Sequence, residues 1–439
     1  MDMEATLIWT ATLALCGLIV ALYGRRTGKA RGRDHEDRAE ARELGIDKPR
    51  AQHPMVDLGR CIGCGACVAA CPEGGVLGLI HGKAAIINGL RCVGHGRCAE
   101  ACPVEAVTIG MGDVSARADL PALDSRQETS VPGLYIAGEL GGLALIKNAV
   151  GQGTAAARAA VAALQDGVGA SADAVPLAVV GAGPAGMAAA VEAERLGVRP
   201  LLLDQAGAGG TILKYPRKKL VLTRPVEIPG FGLLDQPEYT KEHLLEIFTS
   251  VLHKADIAVS PHGRVTKIEQ LNDQFALHTP ETVHHARRVI LALGRGGTPR
   301  KLGIPGEEAS KVFYHLLDAA QFQGDHLLVV GGGDSAVEAA VALGKQPGNT
   351  VTLAYRKHKF FRIKRRNAEQ LEAAAARGEV SVRTQTQPTR IHADSVDLEG
   401  PDGPFSLPNA YVFIFAGGVP PFDLLHQAGV AFGASEHVA

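Results

Sequence analysis

The sequence predicts an α/β protein of several domains, in which two parallel-sheet domains follow a small α+β domain and one N-terminal transmembrane helix. Three observations predict this organisation. Two apolar segments each run into a glycine-rich turn and then a helix, seven of the eight cysteines fall between Cys61 and Cys102, and 19 uncharged residues stand near the N-terminus. A chain of 439 residues has room for about two to four such domains.

The amino-acid composition bears on two questions, whether the partner is a nucleic acid and whether the cysteines bind metal or form disulfides. The 45 basic and 46 acidic residues leave a net charge of −1, which gives no support for a nucleic-acid partner. The clustering of the cysteines favours a metal site over a disulfide framework spread through a secreted fold.

The N-terminal segment predicts a membrane anchor at residues 1–24. Ala5 to Tyr23 is uncharged and long enough to cross a bilayer, and Trp9 and Tyr23 suit its interfaces. A basic cluster follows, namely Arg25, Arg26, Lys29, Arg31 and Arg33. The positive-inside rule then places the catalytic part in the cytoplasm of a bacterium, as a single-pass protein of the inner (cytoplasmic) membrane. A cleaved signal peptide is the alternative, but neither a basic start nor a small-residue cleavage site is clear. Residues 25–56 are predicted to be a juxtamembrane linker.

Two cysteine runs form an internal repeat. The first is Cys61-Ile-Gly-Cys64-Gly-Ala-Cys67-Val-Ala-Ala-Cys71-Pro72, and the second is Cys92-Val-Gly-His95-Gly-Arg-Cys98-Ala-Glu-Ala-Cys102-Pro103. The first matches the bacterial ferredoxin spacing throughout, and the second keeps that spacing with His95 in place of a cysteine. Residues 57–112 therefore resemble a two-cluster bacterial ferredoxin domain. A zinc knuckle is the alternative, which two full runs ending in Cys-Pro disfavour.

This resemblance implies two iron–sulfur clusters of the 4Fe-4S type. Cluster one would take Cys61, Cys64, Cys67 and Cys102. Cluster two would take Cys71, Cys92 and Cys98, with His95 as its fourth ligand or with no fourth ligand, in which case a 3Fe-4S cluster results.

The first glycine-rich turn carries a complete dinucleotide fingerprint. An apolar strand precedes Gly181-Ala-Gly183-Pro184-Ala185-Gly186, a helix follows to about Leu196, and a second strand ends in Asp204. The three glycines allow a tight turn, close approach of the backbone to a pyrophosphate, and close helix–strand packing. Phosphates bind at such a helix N-terminus, and Asp204 is placed to accept a hydrogen bond from a ribose hydroxyl. This pattern predicts a Rossmann-like dinucleotide-binding domain.

Further landmarks follow in a characteristic order. They are a turn ending at Gly210, a strand ending at Gly294, a second fingerprint with Gly331, Gly333, Asp334, Ser335 and Ala336, and an apolar strand ending at Gly417-Gly418. As a set they resemble the thioredoxin-reductase-like flavoproteins over about residues 119–430. The resemblance implies FAD on the first fingerprint and a nicotinamide nucleotide on the second, each in a Rossmann-like domain.

One family landmark stands in an unexpected place. The motif that normally closes such chains, T-x-x-x-x-[YF]-x-A-G-D, lies upstream as Thr129 to Glu139, with a helix to about Leu164 after it. The flavoprotein therefore resembles a circularly permuted member of the family, which places Gly138 and Glu139 at the flavin. Residues 165–175 would be the new surface linker. The alternative is that residues 119–164 are only a helical spacer.

Two further features of the sequence indicate which nicotinamide nucleotide binds and whether the protein carries a thiol-reducing cysteine pair. Arg356, Lys357 and Arg362 follow the strand after the second fingerprint and favour the 2′-phosphate of NADPH over NADH, although a solvated basic face is the alternative. Members of the family that reduce thiols carry a Cys-x-x-Cys pair, whereas no cysteine follows Cys102 here. The basic loop Lys214–Lys219 is expected to be exposed.

These features predict a membrane-anchored iron–sulfur flavoprotein, an FAD-dependent oxidoreductase that passes electrons between NAD(P)H and a one-electron carrier. The carrier would be a quinone, a cytochrome or a ferredoxin. The chemistry requires no catalytic acid or base from the protein. A homodimer is compatible with these features. The rivals are a small-thiol or disulfide reductase and a redox-sensing nucleotide-binding protein. The predicted domains are 1–24 (anchor), 25–56 (linker), 57–112 (ferredoxin), 113–167 (permuted FAD segment), 168–298 (FAD), 299–408 (NAD(P)) and 409–439 (return to the FAD domain).

Overall fold

The computed structural model describes residues 3–49, 52–111, 120–142, 145–165, 173–222, 225–236, 238–260 and 263–433. The chain forms two compact units. The first comprises Met1–Gly112 and Lys364–Arg366, and the second comprises Asp113–Ile363 and Asn367–Ala439.

The regular elements alternate between strands and helices through most of the chain. In order they are α1 (Met3–Glu43), β1 (Gln52–Val56), α2 (Ala66–Ala69), β2 (Leu77–Ile80), β3 (Lys83–Ile86), α3 (Arg97–Glu100), β4 (Val107–Met111), β5 (Leu134–Ile136), α4 (Ile146–Gln165), β6 (Val175–Val180), α5 (Pro184–Arg195), β7 (Pro200–Leu203), β8 (Leu220–Leu222), β9 (Val226–Ile228), β10 (Gly232–Leu234), β11 (Glu238–Thr240), α6 (Lys241–Lys254), β12 (Val259–Ser260), β13 (Lys267–Leu271), β14 (Gln274–His278), β15 (Val283–Leu291), β16 (Thr298–Pro299), β17 (Val312–Phe313), β18 (His326–Val330), α7 (Asp334–Gly344), β19 (Thr350–Tyr355), α8 (Arg365–Ala376), β20 (Val380–Thr384), β21 (Gln387–Ile391), β22 (Ser395–Gly400), β23 (Gly403–Pro408), β24 (Tyr411–Ile414), β25 (Gly418–Val419) and α9 (Phe422–Gln427).

The first unit contains two small antiparallel pairs, β1 with β4 and β2 with β3. Each cysteine run supplies one four-residue helix, α2 or α3, that begins after a left-handed glycine. The core is built from apolar side chains such as Val76 and Leu77 together with the buried thiols of Cys67 and Cys98. The repeat in the sequence is therefore a repeat in the structure.

Helix α1 corrects two expectations about the N-terminus. Within the described residues no helix is long and apolar enough to cross a membrane, so the predicted transmembrane anchor is wrong, and the inner-membrane location inferred from it fails as well. The uncharged run is only the first half of a single 41-residue helix that continues through charged residues to Glu43. Within that run, the side chains of residues 5–8 and of residue 23 lie outside the described part of the structure.

The second half of α1 is helical where a linker was expected. The Asp34 carboxylate accepts a hydrogen bond of 2.8 Å from the Leu79 N–H, and Ala41 is buried. These contacts attach the charged half of α1 to β2 of the same unit.

The first sheet of the second unit has the strand order β12-β7-β6-β15-β14-β13, with β5 also paired to β15. Strands β12, β7, β6 and β15 run parallel to one another, and β14 and β13 extend the sheet as antiparallel neighbours. Core side chains cover both faces, which explains why β6 is an uninterrupted apolar run rather than an alternating one.

The landmark that stands early in the sequence belongs to this same sheet. Strand β5 pairs in parallel with the second half of β15, joining Leu134 to Val289 and Ile136 to Leu291. The far end of the chain returns to the same place, because the Ala122 N–H donates to the Ala431 carbonyl at 2.9 Å and the Gly433 N–H donates to the Leu120 carbonyl at 3.0 Å. Strand β5 therefore shares one sheet with β6, and residues 431–433 lie beside residues 120–122, as a circularly permuted order requires. The proposed linker largely coincides with residues 166–172, which lie outside the described residues.

A second parallel sheet, in the order β17-β24-β18-β19-β20, carries the second glycine-rich turn. Helix α7 packs on this sheet over a core that includes Val329, Leu353 and Phe413. The antiparallel strands β21, β22 and β23 form a separate three-stranded sheet.

Candidate redox site

The turn after β6 has the backbone geometry that its glycines predict. Gly181 has φ of +107°, and a side chain there would overlap the carbonyl of Ala292, the residue directly after β15. A side chain on Gly186 would overlap the Gly181 carbonyl, so only glycine lets α5 start this close to β6. Gly183 is extended and precedes Pro184 at the first position of α5. The free N–H groups of this helix end are therefore presented beside the turn, as an anion such as a pyrophosphate requires.

Asp204 has a more local role than its position at the end of β7 suggests. Its carboxylate accepts hydrogen bonds from the N–H groups of Ala182 at 2.7 Å, Ala206 at 2.7 Å and Gly207 at 3.0 Å. The side chain therefore ties the glycine-rich turn to the loop after β7. A carboxylate oxygen can accept more than one hydrogen bond, so a ribose contact stays a prediction.

The permuted segment reaches the same turn. A side chain carbon on Gly138 would lie 3.1 Å from the Ala185 Cβ, and the Gly138 N–H donates to Gln152 of α4 at 2.9 Å. Gly210 lies against Gly183, since its own added carbon would be 2.8 Å from the Gly183 Cα. The structure thus brings Gly138, Gly183, Ala185 and Gly210 together. Gln152 was missed by sequence reasoning, because nothing local marks a helical glutamine as the partner of a distant turn.

Glu139 is accessible to solvent, yet many protein atoms surround it. Partial desolvation raises the pKa of Glu139, and the guanidinium of Arg295 acts in the opposite direction. Burial also raises the pKa of Tyr215, with the charges of Glu139 and Glu338 adding to the shift. The charge of Glu139 therefore lies close enough to the Tyr215 hydroxyl to influence it. Gly294, three residues after β15, has φ of +63°, and an added Cβ there would meet nothing within 4 Å.

The second glycine-rich turn follows β18 and opens α7. Gly331 has φ of +151°, and a side chain there would come within 3.0 Å of the Ala336 Cβ. Gly333 is extended and a side chain there would meet nothing within 4 Å, so the start of α7 faces open space that can receive a phosphate. Asp334 and Ser335 form the first turn of the helix. The buried Asn367 amide donates to Asp334 at 2.7 Å and to Glu338 at 3.1 Å, a link that the sequence did not indicate.

The basic residues lie at the end of β19, beside this turn. The ring of Tyr355 would collide with any side chain on Gly332, so it lies directly against the turn. Burial raises the pKa of Tyr355, and the nearby guanidiniums of Arg362 and Arg356 oppose that shift. Arg356, Lys357 and Arg362 are all exposed. These three basic residues therefore lie near the turn and are exposed to solvent, as a site for a 2′-phosphate requires.

The cysteines divide into two groups in the first unit. Three predicted cluster-two cysteines and His95 line one pocket, together with Pro54, Glu73 and Arg97. Cys61 and Cys67 are buried while Cys64 is exposed, and the Cys102 thiol accepts a hydrogen bond of 3.2 Å from the Ala106 N–H. Thiolates are the donors that iron–sulfur clusters prefer, so this donor set fits such groups. In the described parts of the chain, no three His, Cys, Asp or Glu side chains are arranged to hold a single metal ion.

Burial controls the protonation of these thiols. It raises the pKa of Cys67 to about 11, and the neighbouring Cys98, Cys61 and Cys64 add to that shift. Burial likewise raises the pKa of Cys71, Cys92 and Cys98. Hydrogen bonds from the backbone, led by that of Val104, lower the pKa of Cys102. Most of these thiols must therefore release a proton when a metal binds.

Comparison with known proteins agrees with this geometry. The family model described as pyridine nucleotide-disulphide oxidoreductase matches residues 178–438, which is more than half of the chain. The chain belongs to the pyridine nucleotide-disulphide oxidoreductase family. A second model, a 4Fe-4S dicluster domain, matches residues 53–103. The predicted combination of a two-cluster domain with a thioredoxin-reductase-like oxidoreductase is thereby confirmed.

Curated relatives of this family member are ferredoxin–NADP reductases. The protein of Ignicoccus hospitalis is 34% identical over 203 residues, which are 45% of this chain and 62% of the relative. That of Streptococcus agalactiae is 30% identical over 227 residues, which are 50% of this chain and 64% of the relative. The chain thus spans less than two thirds of the length of either relative.

Solved structures support the fold. The bacillithiol disulfide reductase from Bacillus cereus matches with a TM-score of 0.53 and 22% identity over 58% of this chain and 81% of its own. The enzyme from Staphylococcus aureus matches with a TM-score of 0.52 and 23% identity over 58% of this chain and 80% of its own. At this level of identity the likeness concerns the fold alone.

Proposed function

We propose that this chain is an FAD-dependent NAD(P)H oxidoreductase that exchanges electrons with a one-electron carrier through two iron–sulfur clusters in its N-terminal unit. One observation carries the proposal: a single chain joins two dinucleotide-binding turns to a tandem cysteine repeat, while no cysteine follows Cys102. The names of the curated relatives, ferredoxin–NADP reductases, support electron exchange with such a carrier.

The residues of the first turn would hold FAD. The N–H groups at the start of α5 bind the pyrophosphate beside Gly181, Gly183 and Gly186, and Gly138 and Glu139 flank the same place. Bound FAD supplies the conversion between a hydride, which carries an electron pair, and single electrons. Arg295 and Glu139 set the local charge beside Gly138.

The residues of the second turn would hold the nicotinamide nucleotide. The start of α7 binds its pyrophosphate, while Arg356, Lys357 and Arg362 receive the 2′-phosphate of NADPH. The cysteines Cys61, Cys64, Cys67 and Cys102 hold cluster one, and Cys71, Cys92, Cys98 and His95 hold cluster two. No described side chain needs a role in proton transfer.

Spectroscopy of the purified chain tests this proposal. The chain is purified without oxygen, its flavin and iron are counted, and NADPH or NADH is added while the absorption spectrum and the EPR spectrum are recorded. We expect flavin bleaching followed by the EPR signals of reduced clusters, and catalytic turnover with ferricyanide as acceptor. A fully reduced flavin beside clusters that stay oxidised would refute the electron path.

Two rival functions give different results in the same assay. Turnover with a low-molecular-weight disulfide but not with ferricyanide would indicate a thiol reductase of the same fold. Reduction that stops after one equivalent of NADPH, with no turnover on any acceptor, would indicate a redox sensor.

A further inference from the structure

The two cysteine runs have matching backbones around their second ligand position. Gly63 and Gly65 flank Cys64 with φ of +69° and +78°, and Gly94 and Gly96 flank His95 with φ of +77° and +81°. Each run then enters a four-residue helix whose second residue is a buried cysteine. His95 therefore occupies the place in its loop that Cys64 occupies in the other.

A second difference between the copies accompanies the histidine. The residue after Cys71-Pro72 is Glu73, and the equivalent residue after Cys102-Pro103 is Val104. Glu73 is 2% exposed, and its Oε1 lies 3.7 Å from the Nδ1 of His95. Glu73 also pairs at 3.1 Å with Lys364, which belongs to the same compact unit. Thus a buried carboxylate is found beside the histidine, whereas an apolar residue takes its place in the copy that has a cysteine.

Histidines that bind metals usually donate their second ring N–H to a carboxylate, which fixes the tautomer and the orientation of the ring. The His95 Nδ1 faces Glu73, at a distance that a small side-chain rotation converts into a hydrogen bond. The other nitrogen, Nε2, is then the one left to bind iron. Both side chains line the pocket that holds Cys71, Cys92 and Cys98.

We propose that Glu73 is the positioning residue for His95 at cluster two, and that His95 makes cluster two the centre with the higher reduction potential while Glu73 moderates that increase. The inference rests on the proposed function, because it requires clusters in the cysteine repeat. A neutral imidazole in place of an anionic thiolate leaves the cluster less negative, so its reduced form is more stable. Glu73 opposes part of this increase in potential, since a hydrogen-bonded imidazole is a stronger donor to iron and stabilises the oxidised cluster.

Three variants of the full chain, with its cofactors, test the pair by EPR-monitored redox titration. His95→Cys supplies a thiolate, and we expect it to lower the potential of one cluster and leave the other unchanged. Glu73→Gln removes the carboxylate, and we expect it to raise the potential of that same cluster. The expected shift is at least tenfold in the ratio of reduced to oxidised cluster, about 59 mV for one electron. Glu105→Gln is the matched control, because Glu105 is an exposed glutamate two residues after Pro103, in the second copy of the repeat.

The nitrogen hyperfine coupling of the EPR signal distinguishes three failures, namely that of the positioning role, that of His95 as a ligand and that of the proposed function. Native protein should show coupling to a histidine nitrogen on one cluster, and Glu73→Gln should alter it. If Glu73→Gln leaves the coupling unchanged and shifts the potential no more than Glu105→Gln does, Glu73 does not position His95. His95 would still be a ligand in that case. Absence of the coupling in native protein would remove His95 from the ligand set, and absence of iron would refute the proposed function itself.

The conservative variant Glu73→Asp covers the case in which Glu73→Gln does not assemble cluster two. Outer-shell partners of this kind typically change metal retention by about 10–100-fold. Selective loss of cluster two in Glu73→Gln with retention in Glu73→Asp supports the pair. Equal loss in both variants, or loss of both clusters, would show that Glu73 serves the fold rather than His95.

Discussion

The side chains at the ends of two strands determine what each glycine-rich turn can bind. Strand β7 leads into Asp204, an acid that accepts from three backbone N–H groups and suits hydroxyl donors. Strand β19 leads into Tyr355, Arg356 and Lys357, where an acid would repel a 2′-phosphate and bases attract it. The two turns are therefore alike in backbone and opposite in the charge of the residues beside them, and this difference supports the proposal of a flavin at the first turn and NADPH at the second.

Replacing Arg356 and Lys357 together by alanine should weaken NADPH binding far more than NADH binding. Each lost charge-assisted hydrogen bond to the 2′-phosphate is worth about 1.5–3 kcal/mol. Isothermal titration with both nucleotides measures the two losses. Arg377→Ala is the matched control, because it removes an exposed arginine that pairs with Glu379 in the same sheet domain. Equal losses for NADPH and NADH would show that Arg356 and Lys357 form only a solvated face.

At the scale of elements, helices α4 and α5 form the closest contact in the flavin-binding part. Gly153 of α4 is buried against α5, and a side chain there would overlap the Ala185 carbonyl. Small residues continue the contact, since Ala156, Ala157 and Ala160 of α4 are fully buried. The same two helices are also joined by an ion pair, in which Arg158 of α4 donates to the buried Glu192 of α5 at 2.7 Å. This packing is what places Gly138 and Gln152 beside the first glycine-rich turn.

Gly153→Ala should therefore destabilise the protein, whereas Gly151→Ala should not. Overpacking at Gly153 is expected to lower the free energy of unfolding by about 1–3 kcal/mol and to release flavin at a lower temperature. Gly151 lies in the same helix with nothing within 4 Å of an added carbon, so alanine there should raise that free energy by about 0.5–1 kcal/mol. Thermal unfolding followed by flavin fluorescence compares the two. Two equal effects would mean that the helix contact does not depend on a glycine.

What the sequence could predict among the elements depends on how local the signal is. The turns at Gly181 and Gly331 follow buried strands and open helices, and each of these signals lies within a few residues, so their geometry was foreseen. The helical second half of α1 was not, because its order comes from Asp34 bonding to Leu79, 45 residues away. Glu73 was missed for the same reason, since only the folded chain brings it to His95, 22 residues later.

At the scale of the molecule, the order of segments and their arrangement in the sheet are independent. Strand β5 precedes β6 in the chain, yet it pairs with β15, which lies between them in the sheet. The end of the chain meets the start of the permuted segment, where the Ala431 N–H donates to the Ser130 hydroxyl at 2.8 Å and Pro121 pairs with Phe432. Side chains of α9, among them Leu425, complete the core on that face. A circular permutation would place its new ends at these neighbouring points, so the fold is kept although the order of segments differs.

Cutting the chain between Gln165 and Asp173 tests whether residues 120–165 are part of the flavin-binding fold or only a spacer. A protease site inserted there would divide the chain into a fragment with the cysteine repeat, β5 and α4, and a fragment with both glycine-rich turns. We expect the two fragments to elute together in size-exclusion chromatography with flavin still bound, because the β5–β15 pairing and the α4–α5 packing do not depend on the cut bond. The same cut in the Gly153→Ala background should give weaker association, which ties the result to helix packing. Fragments that separate while the second keeps its flavin would show that residues 120–165 are a spacer after all.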